Sequence, residues 1–473
     1  MDQKLVVFGL DGATYTILNP LMNENRIPFI KKVCEEGVKA ISKSVYPPVT
    51  APNWFALATG LNPGQTGAHD FFWYQEDYKA KPVTSYKIKG KCFWDTMGEQ
   101  GLKSIIFNYP LLYPAYKING ETVCGIGGIK DRRLTYPESL LGELDKQTGG
   151  YEIQISYMDK KYEDNPERFF KDLRKHWEKK KEAIRHQFKK EWNLFFAVIS
   201  ITDFMQHYSW RYLDEKHNQY TLNENAQEEF KRIWENIDKF LASLVNEESN
   251  VLFISDHGFG AHTHQFYTNI WLKNQGYLKE KKSTTNLLKK TGKKILNKTG
   301  IQSTQLKQKI KKKSGVIDVV DKINTEKSKA FSPIHGTGQG AIFVNEKLAK
   351  VDGLIEEMRE YGSEKKINFD FKKTQEIYQG SYVKQMPQIL FTVNNFQSTV
   401  HSKQLTGEVF KKNTQINHTG SHRMEGIFMA KGPNIKNKKI KQISILDVTP
   451  TILEYFNIKP ENKLDGSRLD IWK

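Results

Sequence analysis

The longest uninterrupted apolar runs in the chain are short, and each breaks off at a residue with chemistry. Leu5–Leu10 (LVVFGL) has no polar alternation, which predicts a strand buried on both faces, and it ends at Asp11-Gly12. An amphipathic stretch over Pro28–Glu36, closed by Gly37, predicts a helix, followed by a strand near Lys39–Ser42. Gly90–Gln100 and Ser104–Asn108 repeat the helix–strand alternation. Pro166–Trp192 is densely charged, with Phe169, Phe170, Leu173 and Trp177 as an apolar stripe. It predicts a long surface helix whose lysines form a solvated face. Leu194–Ser200 (LFFAVIS) and Val251–Ser255 again read as buried strands, with a helix over Glu228–Val245 between them. Alternation of strand and helix through the first ~260 residues predicts an α/β fold with a largely parallel central sheet flanked by helices on both faces.

The texture changes near Lys279. Between Lys279 and Lys313 stand 13 lysines against one acid, Glu280, and Gly292 and Gly300 interrupt any long helix. Core-like patterning returns with Gly340–Asn345, a helix at 350–361, Gln388–Val393, the strand GIFMA at 426–430 and a capped helix over Ile445–Phe456. The expected organisation is a catalytic core of residues 1–270 and 385–473, with 271–384 as an inserted lid or cap containing the lysine-rich 279–313 segment.

Five places pair an apolar run or turn with a group suited to phosphoryl or metal chemistry: Asp11, Thr50, Asp203 with His207, Asp256 with His257, and His422. Thr50 lies in Pro47-Pro48-Val49-Thr50-Ala51-Pro52-Asn53-Trp54, where Pro52 suits a first helical turn and free backbone N–H groups attract anions. Taken alone, Thr50 reads as a helix N-cap. The i, i+4 spacing of Asp203 and His207 puts both on one helical face. Asp256 and His257 directly follow a buried strand, where a carboxylate and an imidazole need a partner or an ion. Each also has a plainer reading, as a turn residue, a cap or a salt bridge; the joint pattern favours metal ligation. Carboxylates and imidazoles without cysteine suit Zn²⁺, with Mn²⁺ or Fe as alternatives. His262, His264, His335 and His418 are weaker candidates for substrate contact, whereas His69, His176, His186, His217 and His401 read as structural or surface residues.

Composition narrows the picture. A chain of 473 residues can bury a large core, and its formal net charge of +18 is two-thirds accounted for by the +12 of the 279–313 segment. No nucleic-acid-reading module accompanies that charge, so nucleic-acid or membrane-surface contact through the basic segment is a minor expectation. Cys34, Cys92 and Cys124 are too scattered for a disulfide framework or a thiolate metal site. No apolar stretch approaches the ~18 residues of a membrane span, and the expected location is cytoplasmic.

The stretches FGLDG (8–12), PPVTAPNWFALATGLNPGQTG (47–67), ITDFMQHYSW (201–210), ISDHGFG (254–260), GSHRMEGIFMAKGPNI (420–435) and ILDVTPTIL (445–453) together resemble the alkaline phosphatase superfamily, in its type I phosphodiesterase/nucleotide pyrophosphatase branch. The resemblance implies an alkaline-phosphatase-like core and two divalent ions, usually zinc, about 4 Å apart. Asp11, Asp256 and His257 would hold one ion, beside the Thr50 hydroxyl; Asp203, His207 and His422 would hold the other. Thr50 would attack phosphorus in line to give a phospho-threonine, and Asn53 would donate to a phosphoryl oxygen. The implied substrate is a small phosphodiester or nucleotide. The alternatives are a phosphomonoesterase or head-group phosphotransferase of the same superfamily and, in another class, a protein that binds polyanions or membrane surfaces through the basic insertion. The chain departs from the family's habits at Thr66, where relatives often carry His, and at Gln388, where an acid is common.

Overall fold

Leu5–Leu10 is buried along its whole length and lies in the middle of a nine-stranded sheet. It pairs in parallel with Leu194–Ile199 on one side and Asn250–Ile254 on the other. Ser104–Tyr109 and Gly120–Cys124 extend the parallel set outward from Leu194–Ile199. Because these five strands run the same way, Asp11, Ser200, Ser255 and the loops beyond Tyr109 and Cys124 all emerge at one edge, where open α/β sheets place their ligands. Glu425–Lys431 is inserted antiparallel between Asn250–Ile254 and Val38–Lys43, Lys438–Ser444 closes that end in parallel, and Thr135–Tyr136 closes the other end antiparallel. The sheet is thus largely parallel, as the apolar runs predict.

The structure, a computed structural model, describes residues 3–87, 89–281, 319–333 and 338–473. Helices Pro28–Glu36, Pro166–Phe188, Ile201–Leu213 and Glu224–Leu244 pack as one group, and Thr50–Thr59, Phe93–Glu99 and Val448–Tyr455 as another. One helix absent from the sequence prediction appears here, and one reading is corrected. Tyr15–Asn23 is a helix, capped by the Thr14 hydroxyl, although Pro20 interrupts its pattern. In Pro166–Phe188 the lysines are not all solvated: Lys180 is buried, its ammonium donating to Asn108 Oδ1 at 2.9 Å and Tyr151 Oη at 2.7 Å. Burial pushes its pKa far down. Asn108 in turn donates to the Val198 carbonyl at 2.8 Å and Ser200 Oγ at 3.0 Å, bracing the strand end from which the Ile201–Leu213 helix departs.

A smaller sheet of seven strands, with its own apolar core, takes strands from 264–267, 330–331, 340–344, 369–373, 389–393, 398–401 and 410–412. Gly258–Ala261 pairs antiparallel with Gly420–Arg423, the strand that carries His422. His335 and residues 282–313 of the lysine-rich stretch fall outside the described residues. The three cysteines are free and buried. Among the described residues no helix is long and apolar enough to cross a membrane.

Candidate active site

Thr50 is the first residue of the helix Thr50–Thr59, not its cap; Val49, in extended conformation, occupies the cap position without a side-chain bond. The hydroxyl is therefore not spent on the helix, and Oγ1 lies 3.4 Å from His257 Nε2. The N–H groups of Thr50 and Ala51 belong to the first turn, which has no intrahelical acceptors for them. Pro52 follows without an N–H to satisfy.

Asn53 does not play the expected part. Its amide donates to the carbonyls of Pro47 (3.0 Å) and Val49 (2.9 Å), and its Oδ1 accepts from the Val45 N–H at 2.7 Å. The side chain is fully buried, and both of its amide hydrogens hold the turn that delivers Thr50. One helical turn of spacing brings Asn53 close to the site, but its side chain points back along the incoming strand, as helical side chains do.

The remaining candidates converge in two adjoining groups. In the first, His257 Nε2 lies 3.2 Å from Asp256 Oδ2 and 3.6 Å from Asp11 Oδ1. In the second, His207 Nε2 lies 3.4 Å from Asp203 Oδ1 and 3.1 Å from His422 Nε2, and His422 Nε2 is 3.4 Å from Asp203 Oδ1. The groups touch, with His257 Nε2 and Asp203 Oδ1 4.0 Å apart and the rings of His257 and His422 stacked at 3.7 Å. All six side chains are buried.

These residues fit a pair of cations. Asp11 Oδ1, Asp203 Oδ1 and Asp256 Oδ2 are buried without a hydrogen-bond partner among the described residues, an arrangement that costs free energy unless a positive group joins it. Each imidazole is turned so that Nδ1 meets a main-chain carbonyl: His207 with Gly420 at 2.8 Å, His422 with Pro48 at 2.9 Å and His257 with Gly258 at 3.1 Å. Donation from Nδ1 leaves every Nε2 lone pair directed at the site, the usual second-sphere device of metal-binding histidines. Gly12 completes the frame. Its left-handed backbone lets its N–H donate to Asp256 Oδ1 at 3.2 Å, and a Cβ there would meet Phe259 at 2.9 Å and Asp203 at 3.3 Å.

Without an ion the electrostatics are adverse. Burial pushes the pKa of Asp11 far up, and the neighbouring Asp256 and Asp203 push it further. Asp256 is likewise raised by burial and by Asp203. Burial drives His207 and His257 down, reinforced at His207 by His418 and His422 and at His257 by His422. A cation would reverse the carboxylate shifts by stabilising the anions, and it would favour the imidazoles in the neutral form that burial already imposes, the form in which histidine ligates.

Of the weaker histidine candidates, His262 is fully buried and bonded to the His418 and His264 carbonyls and Thr399, so it is not a substrate contact. His264 stacks on Phe410 in the smaller sheet. His418 packs against the rings of His207 and Tyr157, with a buried, unpartnered Nε2. His69, set aside from the sequence, is buried with neither ring nitrogen hydrogen-bonded, beside Trp73 and Tyr382 in a small cavity. Nothing in its local sequence signals this. Thr66 caps locally by accepting from the Ala68 N–H, and Gln388 accepts from the Val344 N–H.

The sequence matches the profile of the type I phosphodiesterase / nucleotide pyrophosphatase family over residues 5–421. No curated protein matches significantly. Among solved structures, murine ectonucleotide pyrophosphatase/phosphodiesterase 5 superposes with a TM-score of 0.55 at 12% identity, covering 98% of each chain. An inactive variant of that murine protein in complex with AMP gives 0.54 at 12% identity, covering 98% of this chain and 97% of that one. The human protein gives 0.54 at 13% identity with the same coverage. At such identities the likeness establishes a shared fold.

Proposed function

Because this chain belongs to the type I phosphodiesterase/nucleotide pyrophosphatase family, and is thus a hydrolase, we propose that it cleaves phosphodiester or pyrophosphate bonds with two divalent ions and Thr50 as nucleophile. The observation that carries this reading is the placing of the Thr50 hydroxyl, 3.4 Å from His257 Nε2, at the edge of two contiguous carboxylate–imidazole groups with unpartnered oxygens. Asp11, Asp256 and His257 would hold one ion and Asp203, His207 and His422 the other. The donor set favours Zn²⁺ over Mn²⁺ or Fe. Bound there, the ions would supply Lewis acidity to the threonine oxygen and to the phosphoryl oxygens.

Thr50 Oγ1 forms the new bond to phosphorus as the bond to the leaving oxygen breaks in line, giving a phospho-threonine that water then hydrolyses. The Thr50 and Ala51 N–H groups, at the positive end of a helix dipole, are the donors for a non-bridging oxygen. They replace the Asn53 amide in that role. Arg423, the arginine next to His422, donates to the carbonyls of Ala261 (2.6 Å), Phe396 (2.8 Å) and His422 (2.8 Å), so its guanidinium is committed to the protein. Neutral donors, with the Arg423 guanidinium spent on carbonyls, suit a singly charged phosphodiester better than a doubly charged monoester. A nucleotide is the substrate class the family suggests, and the AMP complex of the murine relative supports it.

The test compares bis(p-nitrophenyl) phosphate with p-nitrophenyl phosphate under added Zn²⁺ or Mn²⁺, in wild type and Thr50→Ala, with an acid quench and mass spectrometry for phosphate on Thr50. Preferred turnover of the diester, lost by at least about 10³-fold in Thr50→Ala, is expected. No turnover of either ester with any metal, or full activity of Thr50→Ala, overturns the reading.

A further inference from the structure

We propose that two loop tips beside the site, carrying Tyr86 and Ile129, form a docking rim for anionic lipid surfaces. Tyr86 is 73% exposed and Ile129 58%, among the few large hydrophobic side chains left in water in the described structure. Isolated exposed hydrophobics are ordinary on soluble proteins. These two differ in sharing one rigid base.

That base is Tyr113, in the loop beyond the strand Ser104–Tyr109. Ser85, next to Tyr86, donates its N–H to the Tyr113 carbonyl at 3.1 Å and its hydroxyl to the Pro114 carbonyl at 2.6 Å. From the other side, the Tyr113 hydroxyl donates to Asp131 at 2.8 Å and the Arg133 guanidinium lies 5.2 Å above its ring. Ile129 sits in the tight turn after Cys124, where Gly128 N–H bonds the Gly125 carbonyl at 3.0 Å and Asp131 N–H bonds the Ile129 carbonyl at 2.8 Å. Both apolar tips are thus held out by hydrogen-bonded turns.

Cations surround them. In the two stretches 84–90 and 128–134, Lys87, Lys89, Lys130, Arg132 and Arg133 stand with one acid, Asp131, which Arg133 and Tyr113 already occupy, while Lys87 lies over the Trp73 ring. Lys130 is paired with Asp145, but the Arg132 side chain is 79% exposed and reaches Glu138 only at 3.9 Å. An aromatic and an aliphatic tip among basic side chains fits a bilayer interface, where apolar groups enter below the headgroups and Lys and Arg meet lipid phosphates. Two single tips are too small for a stable protein–protein interface. The Ile129 loop leaves the same sheet edge as Asp11 and Ser200, and the Tyr86 turn is bonded to the loop beyond Tyr109 at that edge, so docking would turn the edge toward lipid, itself a phosphodiester. The rim is distinct from the lysine-rich stretch, and its binding is measured without turnover, so it does not depend on the catalytic reading.

The full chain is co-sedimented with vesicles of phosphatidylcholine alone and of phosphatidylcholine with one-quarter phosphatidylglycerol, as wild type, as Tyr86→Ser/Ile129→Ser, and as Arg132→Gln/Lys89→Gln. The expected result is wild-type binding to the anionic vesicles only, weakened about 10-fold or more by either double substitution. Unchanged thermal unfolding of the variants shows that they remain folded. Failure of wild type to bind anionic vesicles overturns the proposal, as does unweakened binding of Tyr86→Ser/Ile129→Ser, which would leave the lysine-rich stretch as the source. Equal loss of binding to heparin beads and to vesicles in that variant would assign the rim to a soluble polyanion instead.

Discussion

Asn53 stands one helical turn from Thr50, and its side chain stabilises the turn before the helix rather than anything bound in front of it. Replacing it by Ala leaves the buried Val45 N–H unpaired, at about 1–3 kcal/mol, and takes one of two hydrogen bonds from each of the Pro47 and Val49 carbonyls, which keep their backbone donors. Asn53→Ala is therefore expected to lower thermal stability and kcat together. A donor to the phosphoryl group would lower kcat at unchanged Tm, so unfolding and turnover measured on one preparation separate the two roles. His69 gives a prediction in pH. Burial holds its imidazole down to about 4, against a small opposing pull from the Gly67 backbone. The unfolded chain, with an ordinary histidine pKa near 6.5, binds the proton first. Stability from this residue is thus complete above about pH 6.5 and falls as pH drops toward about 4, by on the order of 3 kcal/mol. The slope of unfolding free energy against pH over that window should flatten in His69→Phe, measured with chelator present so that metal release does not contribute; an unchanged slope would contradict it.

At the scale of elements, the helix Pro28–Glu36 shows how a distant side chain fixes a local start. Its cap residue, Ile27, has no capping side chain; instead Asp238, from the helix Glu224–Leu244, accepts from the N–H of Ile30 at 2.8 Å and of Phe29 at 3.1 Å. Asp238→Ala should cost about 1–2 kcal/mol, read as a lower denaturant midpoint, with Asp238→Asn recovering part of it. The strands Leu5–Leu10 and Leu194–Ile199 were legible to within a residue, because burial on both faces demands an unbroken apolar run. The helix Tyr15–Asn23 was not, since Pro20 breaks the pattern that announces a helix and only the Thr14 cap and the packing of Leu18, Leu21 and Met22 sustain it. Lys180 was unreadable for a related reason. Helical periodicity separates apolar from polar faces, but whether a lysine near the boundary meets water or Asn108 and Tyr151 depends on a loop and a strand roughly 30 and 70 residues away.

For the molecule as a whole, the proposed metal centre is where stability and function meet. With chelator, wild type holds three unpartnered buried carboxylate oxygens, and removing one charge relieves its neighbours. Asp256→Asn is therefore expected to unfold at or above the wild-type temperature when metal-free and below it with Zn²⁺, because wild type gains about 2.7 kcal/mol per site at a metal concentration 100 times Kd. A variant less stable than wild type under both conditions would contradict this. Calorimetry with and without Zn²⁺ reads both cases. The sequence by itself determined the strand runs and singled out Asp11, Thr50, Asp203, His207, Asp256, His257 and His422 as candidates, because burial patterns are local and these groups stand at or just beyond the ends of such runs and turns. Tertiary structure alone decided that Asn53 points backward, that His262 is spent on carbonyls, that His69 is stranded without a partner, and that Tyr86 and Ile129 rise from a shared base. Each of these depends on which groups the folded backbone brings within about 3 Å, and no local pattern encodes that distance.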